Sequence, residues 1–389
     1  MRLLLFTGTG GAGTTTVSAA TAVHAARRGV KTVLVPLGPA APGLDGDTDA
    51  ELEPGLALWP AGAARRAVRA RGALAAPLEA LAGALGVDPV DERELPGLPL
   101  VDEIAALVEI RDAAAAGADL VVVDVPGLDR AVRLAALPAD LRRAVERLLP
   151  MERRMLWAMG HGAMPGTGAA GPSRGVIEAA ERLAAELDGV HELVATPRTT
   201  GRLVLAPQAP APAAAARARA ALALHGLRVD GAVVPRLVPG DGDDPWRVAR
   251  AGAQAEVLAE ARAVLAPLAV LRAAERPTEP ATVDDLAAIG LELYGDGLPC
   301  SLAEVPPARR PVVERDGDAF VLVLDLPGAR RADVEVARRG DDLLVDLAGE
   351  RAAVRLPSGL RRCEVTGAAV RDGELRVGFR PDPALWRAL

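Results

Sequence analysis

The residues that most clearly could do chemistry lie in a glycine-rich loop near the start of the chain. Residues 8–15 read Gly-Thr-Gly-Gly-Ala-Gly-Thr-Thr, the spacing of a phosphate-binding loop with threonine where its lysine belongs. An apolar strand from Leu3 to Phe6 precedes the loop, and a helical run from Thr16 to Arg28 follows it, as such a motif requires. The sequence therefore predicts a loop shaped for phosphate that lacks its usual cation.

The candidate ligand-binding residues combine the backbone amides of this loop with two side-chain oxygens. Amides at a helix N-terminus attract anions, so the loop is expected to receive the phosphates of a nucleotide, although weakly without a cation. The hydroxyl of Thr15 and the carboxylate of Asp124, which ends a buried apolar run, are the expected Mg²⁺ ligands because Mg²⁺ prefers oxygen donors. The full predicted set is Gly8, Gly10, Gly11, Gly13, Thr14, Thr15, Thr16 and Asp124.

The composition argues against several other classes of function. The chain has 389 residues and a formal net charge of -7, so nucleic acid is not an expected partner. The two cysteines, Cys300 and Cys363, are too far apart for a zinc knuckle or a disulfide framework, which fits a reducing cytoplasm. The apolar runs are shorter than a signal peptide requires and do not approach the ~20 residues of a membrane span. We therefore expect a cytoplasmic protein without a transmembrane segment.

Strand and helix signals alternate through the first part of the chain. Buried strands are predicted at Thr32 to Val35 and Leu120 to Asp124, with a helix at Val101 to Ala116 between them. This alternation predicts an α/β domain over residues 1–296, with a mainly parallel sheet and helices on both faces. Further predicted strands are Val190 to Ala195, Leu203 to Ala206 and Gly231 to Val234, and further predicted helices are Ala61 to Leu85, Arg174 to Leu187 and Pro210 to His225.

A small all-β domain is predicted after a proline-rich segment. Residues 297–311 lack periodicity, which is typical of an interdomain linker. Short alternating strands separated by glycines follow, so residues 312–389 are predicted to form a β-sandwich. The predicted strands are Phe320 to Leu324, Val334 to Ala337, Leu343 to Leu347, Ala353 to Leu356 and Glu374 to Phe379.

Several separated motifs together resemble those of the ArsA-type ATPases, which include arsenite-pump ATPases and ATPases that deliver tail-anchored membrane proteins. The motifs are residues 6–17, Asp124 after its buried strand, residues 133–138 and residues 244–247. Residues 356–360 and 372–377 resemble the small-heat-shock-protein-like domain attached to many actinobacterial members. The resemblance implies a P-loop NTPase-like α/β domain, ATP and Mg²⁺ as ligands, and subunits that work as pairs across their phosphate loops.

The positions at which this resemblance implies catalytic residues carry other residues in this chain. The family's loop lysine falls on Thr14, and a second signature lysine, which reaches the nucleotide of the other subunit, falls on Thr9. The aspartate that positions the attacking water falls on Gly38, and an asparagine that reads adenine falls on Pro235, which has no donor. The switch segment after Asp124 reads Val-Pro-Gly-Leu-Asp-Arg in place of a sequence close to Thr-Ala-Pro-Thr-Gly-His.

These replacements predict a nucleotide site that has lost most of its activity. A charge ~4 Å from a phosphate gains roughly 4 kcal/mol before desolvation, whereas micromolar binding corresponds to about 8 kcal/mol in total. Loss of one stabilising donor typically costs ~10²–10³ in rate, and phosphoryl transfer depends almost entirely on positioning and charge. We therefore expect a pseudo-ATPase that acts as a binding, chaperone-like or regulatory partner subunit.

Two alternatives remain open from the sequence. The first is a slow Mg²⁺-dependent ATPase, coupled to a client protein or an anion, that uses Thr15 and Asp124 with arginines such as Arg130 or Arg133 as its cations. The second is an inert scaffold in which residues 312–389 alone carry the binding function. Binding of Mg²⁺ and ATP separates the first alternative from the others.

A methionine-rich segment is the candidate client surface. Met151, Met155 and Met159 recur at the spacing of one helical face, with Met164 nearby, and would form a soft apolar surface for varied partners. In the targeting ATPases that the chain resembles, the equivalent region forms the client groove. An ordinary helix packed on the core or on a second subunit explains the same spacing. The expected partners are an apolar protein client and a second subunit, in a homodimer or in a heterodimer with an ArsA-type paralogue.

Overall fold

The computed structural model describes residues 1–41, 43–44, 51–59, 99–148, 189, 192–193, 196–299 and 311–383. This part of the chain forms an eight-stranded sheet with flanking helices and, after it, two smaller antiparallel sheets of four and three strands. The α/β fold with a C-terminal β-sandwich that the sequence predicts is thereby confirmed.

The large sheet places the strand before the loop at its centre. The strand order is β3-β4-β2-β5-β1-β6-β7-β8, and neighbours from β4 to β8 are parallel whereas β3 runs antiparallel to β4 at the edge. The strands are β1 (Arg2–Gly8), β2 (Thr32–Pro36), β3 (Glu51–Glu53), β4 (Leu56–Leu58), β5 (Leu120–Asp124), β6 (Thr199–Val204), β7 (Arg228–Leu237) and β8 (Ala269–Ala274).

Helices cover both faces of this sheet. The side chains of β1 accordingly alternate between two apolar clusters, one on each face. Leu3 and Leu5 belong to one cluster, and Leu4 and Phe6 belong to the other. The first cluster includes residues of α2 to α5, and the second includes residues of α1 and α6. The helices are α1 (Thr14–Arg27), α2 (Pro99–Ala115), α3 (Leu128–Leu148), α4 (Ala211–Leu224), α5 (Pro245–Leu265) and α6 (Val283–Tyr294).

The ends of the helices follow from local chemistry. Asp244 caps α5 by accepting a hydrogen bond from the Trp246 amide at 3.1 Å. At α6, the Thr282 hydroxyl and the Asp285 carboxylate satisfy each other's backbone amides in a capping box. Asp244 before α5, and Asp284 and Asp285 in the first turn of α6, place negative charge at the helix N-termini, where it is favourable.

One strand predicted from the sequence is wrong and another is misplaced. Residues 192–193, within the predicted strand from Val190 to Ala195, are helical. Glu, Leu and Ala in this segment favour a helix over a strand, which explains the error. The strand predicted at Leu203 to Ala206 runs instead from Thr199 to Val204.

The β-sandwich packs directly against the α/β domain. Leu322, Leu324 and Leu326 of the sandwich belong to the same apolar cluster as the α4 side of the large sheet. A Cβ added at Gly328 would lie 2.9 Å from the Ala216 carbonyl oxygen of α4, so the two domains approach to backbone contact there. The sandwich strands are β9 (Val312–Asp316), β10 (Ala319–Asp325), β11 (Val334–Arg339), β12 (Asp342–Leu347), β13 (Glu350–Arg355), β14 (Cys363–Arg371) and β15 (Glu374–Pro381).

A buried ion pair joins the centre of the large sheet to the end of α6. Arg202 of β6 and Asp230 of β7 are both fully buried and are 2.8 Å apart. Arg202 also donates to the hydroxyl of Tyr294 at 3.2 Å and to the carbonyl of Pro299 at 3.0 Å. These bonds fix the chain where it leaves the α/β domain, and they satisfy an arginine that would otherwise be costly to bury.

Candidate functional site

The glycine-rich loop joins the central strand of the sheet to the first turn of α1. β1 ends at Gly8, and Thr14, Thr15 and Thr16 form the first turn of α1. Gly13 caps this helix in the left-handed conformation, with φ of 89°, and no side chain bonds to the helix amides. Among the described residues, the amides before Val17 have no acceptor within the helix, so they remain available to an anion.

Gly8, Gly11 and Gly13 are required by the shape of the loop. A Cβ added at Gly8 would lie 2.2 Å from the carbonyl oxygen of Val204 on β6, so a side chain cannot fit there. Gly11 has φ of 75°, and the Ala12 amide donates to the Thr9 carbonyl at 3.0 Å, which closes a tight turn. Gly10 has open space around it. The loop thus has the tight backbone shape that the sequence predicts, which is the shape of a phosphate-binding turn.

The loop itself supplies no positive charge. Thr9 and Thr14 occupy the positions at which lysines are implied, and the Thr9 hydroxyl is buried without a hydrogen-bond partner among the described residues. The one lysine of the sequence, Lys31, directly precedes β2, which runs parallel to β5 and β1. The loop follows the C-terminal end of β1, whereas Lys31 precedes the N-terminal end of β2. Lys31 and the loop therefore lie at opposite ends of the parallel strands.

Asp124 and Thr15 come together beside the cradle. Asp124 ends β5 next to Phe6 of β1, is 1 % exposed, and has no hydrogen bond of ordinary geometry from any described residue to either carboxylate oxygen. Burial raises the pKa of this carboxyl to about 6, although the nearby Thr15 hydroxyl and the Arg130 charge act to lower it. Thr15 and Asp124 therefore offer the oxygen donors that Mg²⁺ prefers, and a buried carboxylate that a cation would satisfy.

The two arginines considered as replacement cations differ in their positions. Arg130, in the first turn of α3, is close enough to Asp124 to affect its pKa, and it donates to the Leu37 carbonyl at 2.6 Å. Arg133 instead forms an ion pair with Glu103 at 3.0 Å. Arg130 therefore belongs to the site, whereas Arg133 is engaged elsewhere.

The positions of the implied water-positioning and adenine-reading residues carry no usable side chain. A Cβ added at Gly38, which follows β2, would lie 3.1 Å from the Pro126 ring. An aspartate at this position would crowd that ring. Pro235 of β7 faces Gly13, whose added Cβ would lie 3.8 Å from the Pro235 ring. Neither position offers a donor or a carboxylate at the loop.

Arg236 reaches the loop although the sequence analysis does not identify it. Its Nη1 donates to the Gly11 carbonyl at 3.4 Å, and its Nε lies 3.4 Å from a carboxylate oxygen of Glu275. The backbone of Arg236 has φ of 62°, which is uncommon for a residue other than glycine. An arginine after a buried strand in a chain rich in arginine gives no sequence signal, and only the folded β7 directs it to the loop.

The predicted client surface falls on residues whose structure is not described. Met151, Met155, Met159 and Met164 all lie outside the described residues, as does Cys300. Cys363 is fully buried in the sandwich. Among the residues that the structure covers, no helix is both long and apolar enough to cross a membrane, and no three His, Cys, Asp or Glu side chains cluster as metal ligands.

Comparisons with known proteins agree with this geometry. The family model described as Anion-transporting ATPase matches residues 1–295, and the model of the HSP20-like domain found in ArsA matches residues 317–379. The Streptomyces coelicolor protein SCO2128 is 41% identical over 399 residues, which cover 99% of each chain. Protein Rv2184c of Mycobacterium tuberculosis is 31% identical over 75% of this chain and 71% of its own. A Chlorobaculum tepidum protein named "Putative arsenical pump-driving ATPase" is 26% identical over 97% of this chain and 96% of its own.

Proposed function

Because this chain belongs to the anion-transporting ATPase family, we propose that it keeps the phosphate cradle of an ATPase but works as a binding subunit with little or no ATP turnover. The observation that carries this proposal is the absence of a lysine on the cradle side of the sheet: Thr9 and Thr14 stand in the loop, and Lys31 is at the far end of the strands.

The missing charges matter more for turnover than for binding. Each lysine would contribute roughly 4 kcal/mol of attraction to a phosphate ~4 Å away before desolvation. Phosphoryl transfer depends on positioning and on charge that develops in the transition state, and a single missing donor typically lowers the rate by ~10²–10³. At this loop two lysines and the carboxylate expected at Gly38 are all replaced. The loop amides retain some attraction for an anion.

The residues that would hold Mg²⁺ and ATP remain in part. The Thr15 hydroxyl and the Asp124 carboxylate would hold Mg²⁺, and the amides of Gly10, Gly11, Gly13 and Thr14 would face the phosphates. A bound Mg²⁺ would neutralise charge on the phosphate oxygens. The buried carboxylate of Asp124 supports this assignment, because a cation would offset the cost of its burial.

Such a subunit would act through a protein partner in the cytoplasm. We propose a second subunit, either another copy of the chain or an ArsA-type paralogue with an intact loop, and an apolar protein client held at Met151 to Met164 and at the sandwich. The exposed β9 strand supports binding of a client at the sandwich. It forms an edge of its sheet, and all five of its residues are exposed, including Val312 and Val313. An edge strand can pair with an extended segment of another chain.

A slow Mg²⁺-dependent ATPase is the second candidate function. Its specific support is the pair of guanidinium groups near the site. The charge of Arg130 lowers the pKa of the Asp124 carboxyl, and Arg236 contacts Gly11 in the loop. Arginine can stabilise charge on a transferring phosphoryl group, as arginine fingers do. This candidate predicts micromolar binding of ATP with Mg²⁺ that is lost in Thr15→Ala.

Calorimetry with ATP and Mg²⁺ tests the first proposal directly. We expect weak binding, in the high micromolar range or above, and a gain of at least tenfold in the double variant Thr9→Lys with Thr14→Lys. The cation of Thr14→Lys would face the phosphates in its own loop, and that of Thr9→Lys would reach those of a paired subunit. Ser358→Lys, an exposed change in the sandwich, is the matched control and should leave the affinity unchanged. Tight binding by the unchanged chain, with no gain in the double variant, would contradict the proposal.

A further inference from the structure

A cavity beside the loop is not used by the site described above. It has a volume of about 700 Å³, within the range of small-molecule sites, and it touches the loop only at Gly11 and Ala12. Thr15 and Asp124 do not line it. The other lining residues come from the segment after β6, the end of β7, the first half of α5 and the turn after β8.

The walls of this cavity carry an excess of positive charge. The described lining residues include Arg236, Arg247, Arg250 and Arg276 but only one carboxylate, that of Glu275. Glu275 lies 3.4 Å from Arg236, which is a long and exposed ion pair. Arg250 makes no hydrogen bond or ion pair with any described residue, so its guanidinium is available to a ligand.

The arginine nearest the loop is held in place by a buried glutamine. Gln254 of α5, which is 3 % exposed, donates to the Arg236 carbonyl at 3.3 Å and accepts from the Val238 amide at 2.7 Å. These two bonds fix the residues on both sides of the turn at the end of β7. The backbone of Arg236 is therefore held in its left-handed conformation, with φ of 62°, and its side chain extends from there to the loop and the cavity.

Arg276 adds positive charge to the wall formed by the turn after β8. Its Nη2 donates to Glu292 at 3.1 Å. The side chain lines the cavity and is 33 % exposed, so its guanidinium can still face an anion there.

An exposed aromatic ring stands at the rim. Trp246 is 67 % exposed although it is large and apolar, and it lies one helical turn from Arg250 on α5. Arginine forks match phosphate oxygens, and an indole face can stack on a planar base. The arrangement thus combines phosphate donors with a stacking surface.

We propose that this cavity binds a small molecule with a phosphate chain through Arg236, Arg250 and Arg276, without needing Mg²⁺ at Thr15 and Asp124. The shared chemistry of its ligands is the phosphate chain, which an inorganic polyphosphate or a nucleotide could carry. This inference does not depend on whether the loop itself binds ATP. It assigns the cavity an anion ligand of its own.

Titration calorimetry with sodium tripolyphosphate and EDTA tests the proposal on the full chain. We expect saturable binding that weakens steeply with salt, because arginine contacts to phosphate are screened. Arg250→Gln should weaken it at least tenfold, since Arg250 has no structural partner to lose. Arg262→Gln, an exposed change later on the same helix, is the matched control and should bind as the unchanged chain does. Thr15→Ala should also retain binding.

A parallel titration with ADP in EDTA distinguishes the two sources of the phosphate chain. Tighter binding of ADP than of tripolyphosphate, lost in Trp246→Leu, would support a nucleotide ligand. Equal or tighter binding of tripolyphosphate would support an inorganic one. The proposal is overturned if neither compound binds at millimolar concentration. It is also overturned if Arg250→Gln and Arg262→Gln weaken binding equally, or if Thr15→Ala abolishes binding while Arg250→Gln retains it.

Discussion

The Nη1 of Arg236 donates a hydrogen bond to the carbonyl oxygen of Gly11 at 3.4 Å. The loop therefore contacts a cation from a residue 225 positions later in the sequence. In a phosphate-binding loop with its lysine, the positive charge is part of the loop itself. Here the charge near the loop comes from the end of β7 and faces the adjacent cavity. The loop and the cavity beside it are therefore two neighbouring surfaces, and Arg236 contacts both.

Because the carboxyl of Asp124 is buried, the free energy of unfolding should fall as pH rises. Its pKa is raised from 3.8 to about 6 by burial, so between about pH 4 and pH 6 the folded chain keeps a proton that the unfolded chain releases. The free energy of unfolding should therefore fall by up to roughly 3 kcal/mol as pH rises through this window. Urea unfolding at pH 4 and pH 7 measures the change.

Asp124→Asn should remove most of this pH dependence, because an amide does not titrate. Asp119→Asn, an exposed change that precedes the same strand, should leave the dependence in place. Equal pH profiles for the unchanged chain and Asp124→Asn would show that this carboxyl is not the group responsible. Above pH 6, added Mg²⁺ should stabilise the unchanged chain more than Asp124→Asn.

Arg130→Gln should raise the pKa of Asp124 further. The Arg130 charge favours the ionised carboxylate, so its removal should move the pH window of falling stability upward. Arg133→Gln should not move the window, because Arg133 is paired with Glu103. Urea unfolding across pH 4 to pH 8 compares the three proteins. A shift of similar size in Arg133→Gln would contradict the assignment.

The buried pair of Arg202 and Asp230 should be costly to break. Asp230→Asn leaves a fully buried guanidinium without its counter-charge, which typically costs ~3–5 kcal/mol. Asp284→Asn also removes an ion-paired carboxylate, but Asp284 is 85% exposed, so little measurable effect is expected. Denaturant unfolding at pH 7 compares the variants. If both variants lose a similar free energy of unfolding, burial is not what makes the pair of Arg202 and Asp230 costly to break.

The contact between α1 and α6 should tolerate no added methyl group. A Cβ at Gly290 would lie 2.6 Å from the His24 Cβ and 2.7 Å from the Ala20 carbonyl oxygen. Gly290→Ala should therefore destabilise the fold by ~1–3 kcal/mol. Gly252→Ala on α5 meets nothing within 4 Å and should stabilise by ~0.5–1 kcal/mol, since alanine favours a helix. Thermal unfolding of both variants gives the sign of each effect.

Much of the α/β core could be predicted from local sequence pattern. β5 was predicted with its observed ends, because a run of β-branched and Leu residues is typical of a strand buried on both faces. The loop was recognisable from the spacing of its glycines, of which Gly8, Gly11 and Gly13 have contacts or conformations that exclude a side chain. The family resemblance, which rests on such separated motifs, is confirmed.

The remaining features depend on contacts between distant parts of the chain. β8 and β9 were not predicted, since neither alternates clearly and β9 is exposed throughout. The role of Arg236 was also not predictable, because its direction is set by the end of β7 and by Gln254 of α5. Likewise, Asp124 could be placed at the end of a strand from the sequence, but the burial of its carboxylate is a property of the packed site.

The rate at which the purified chain hydrolyses ATP tests the central claim most directly. Phosphate release should be measured with saturating ATP and Mg²⁺, with Thr15→Ala as the background control. If the cradle lacks the cations that turnover requires, the rate should be at least ~10²-fold below the ~1 s⁻¹ at the low end of ordinary enzymes, and close to that of Thr15→Ala. A rate of ~1 s⁻¹ or more that Thr15→Ala abolishes would contradict the account and make the chain a working ATPase.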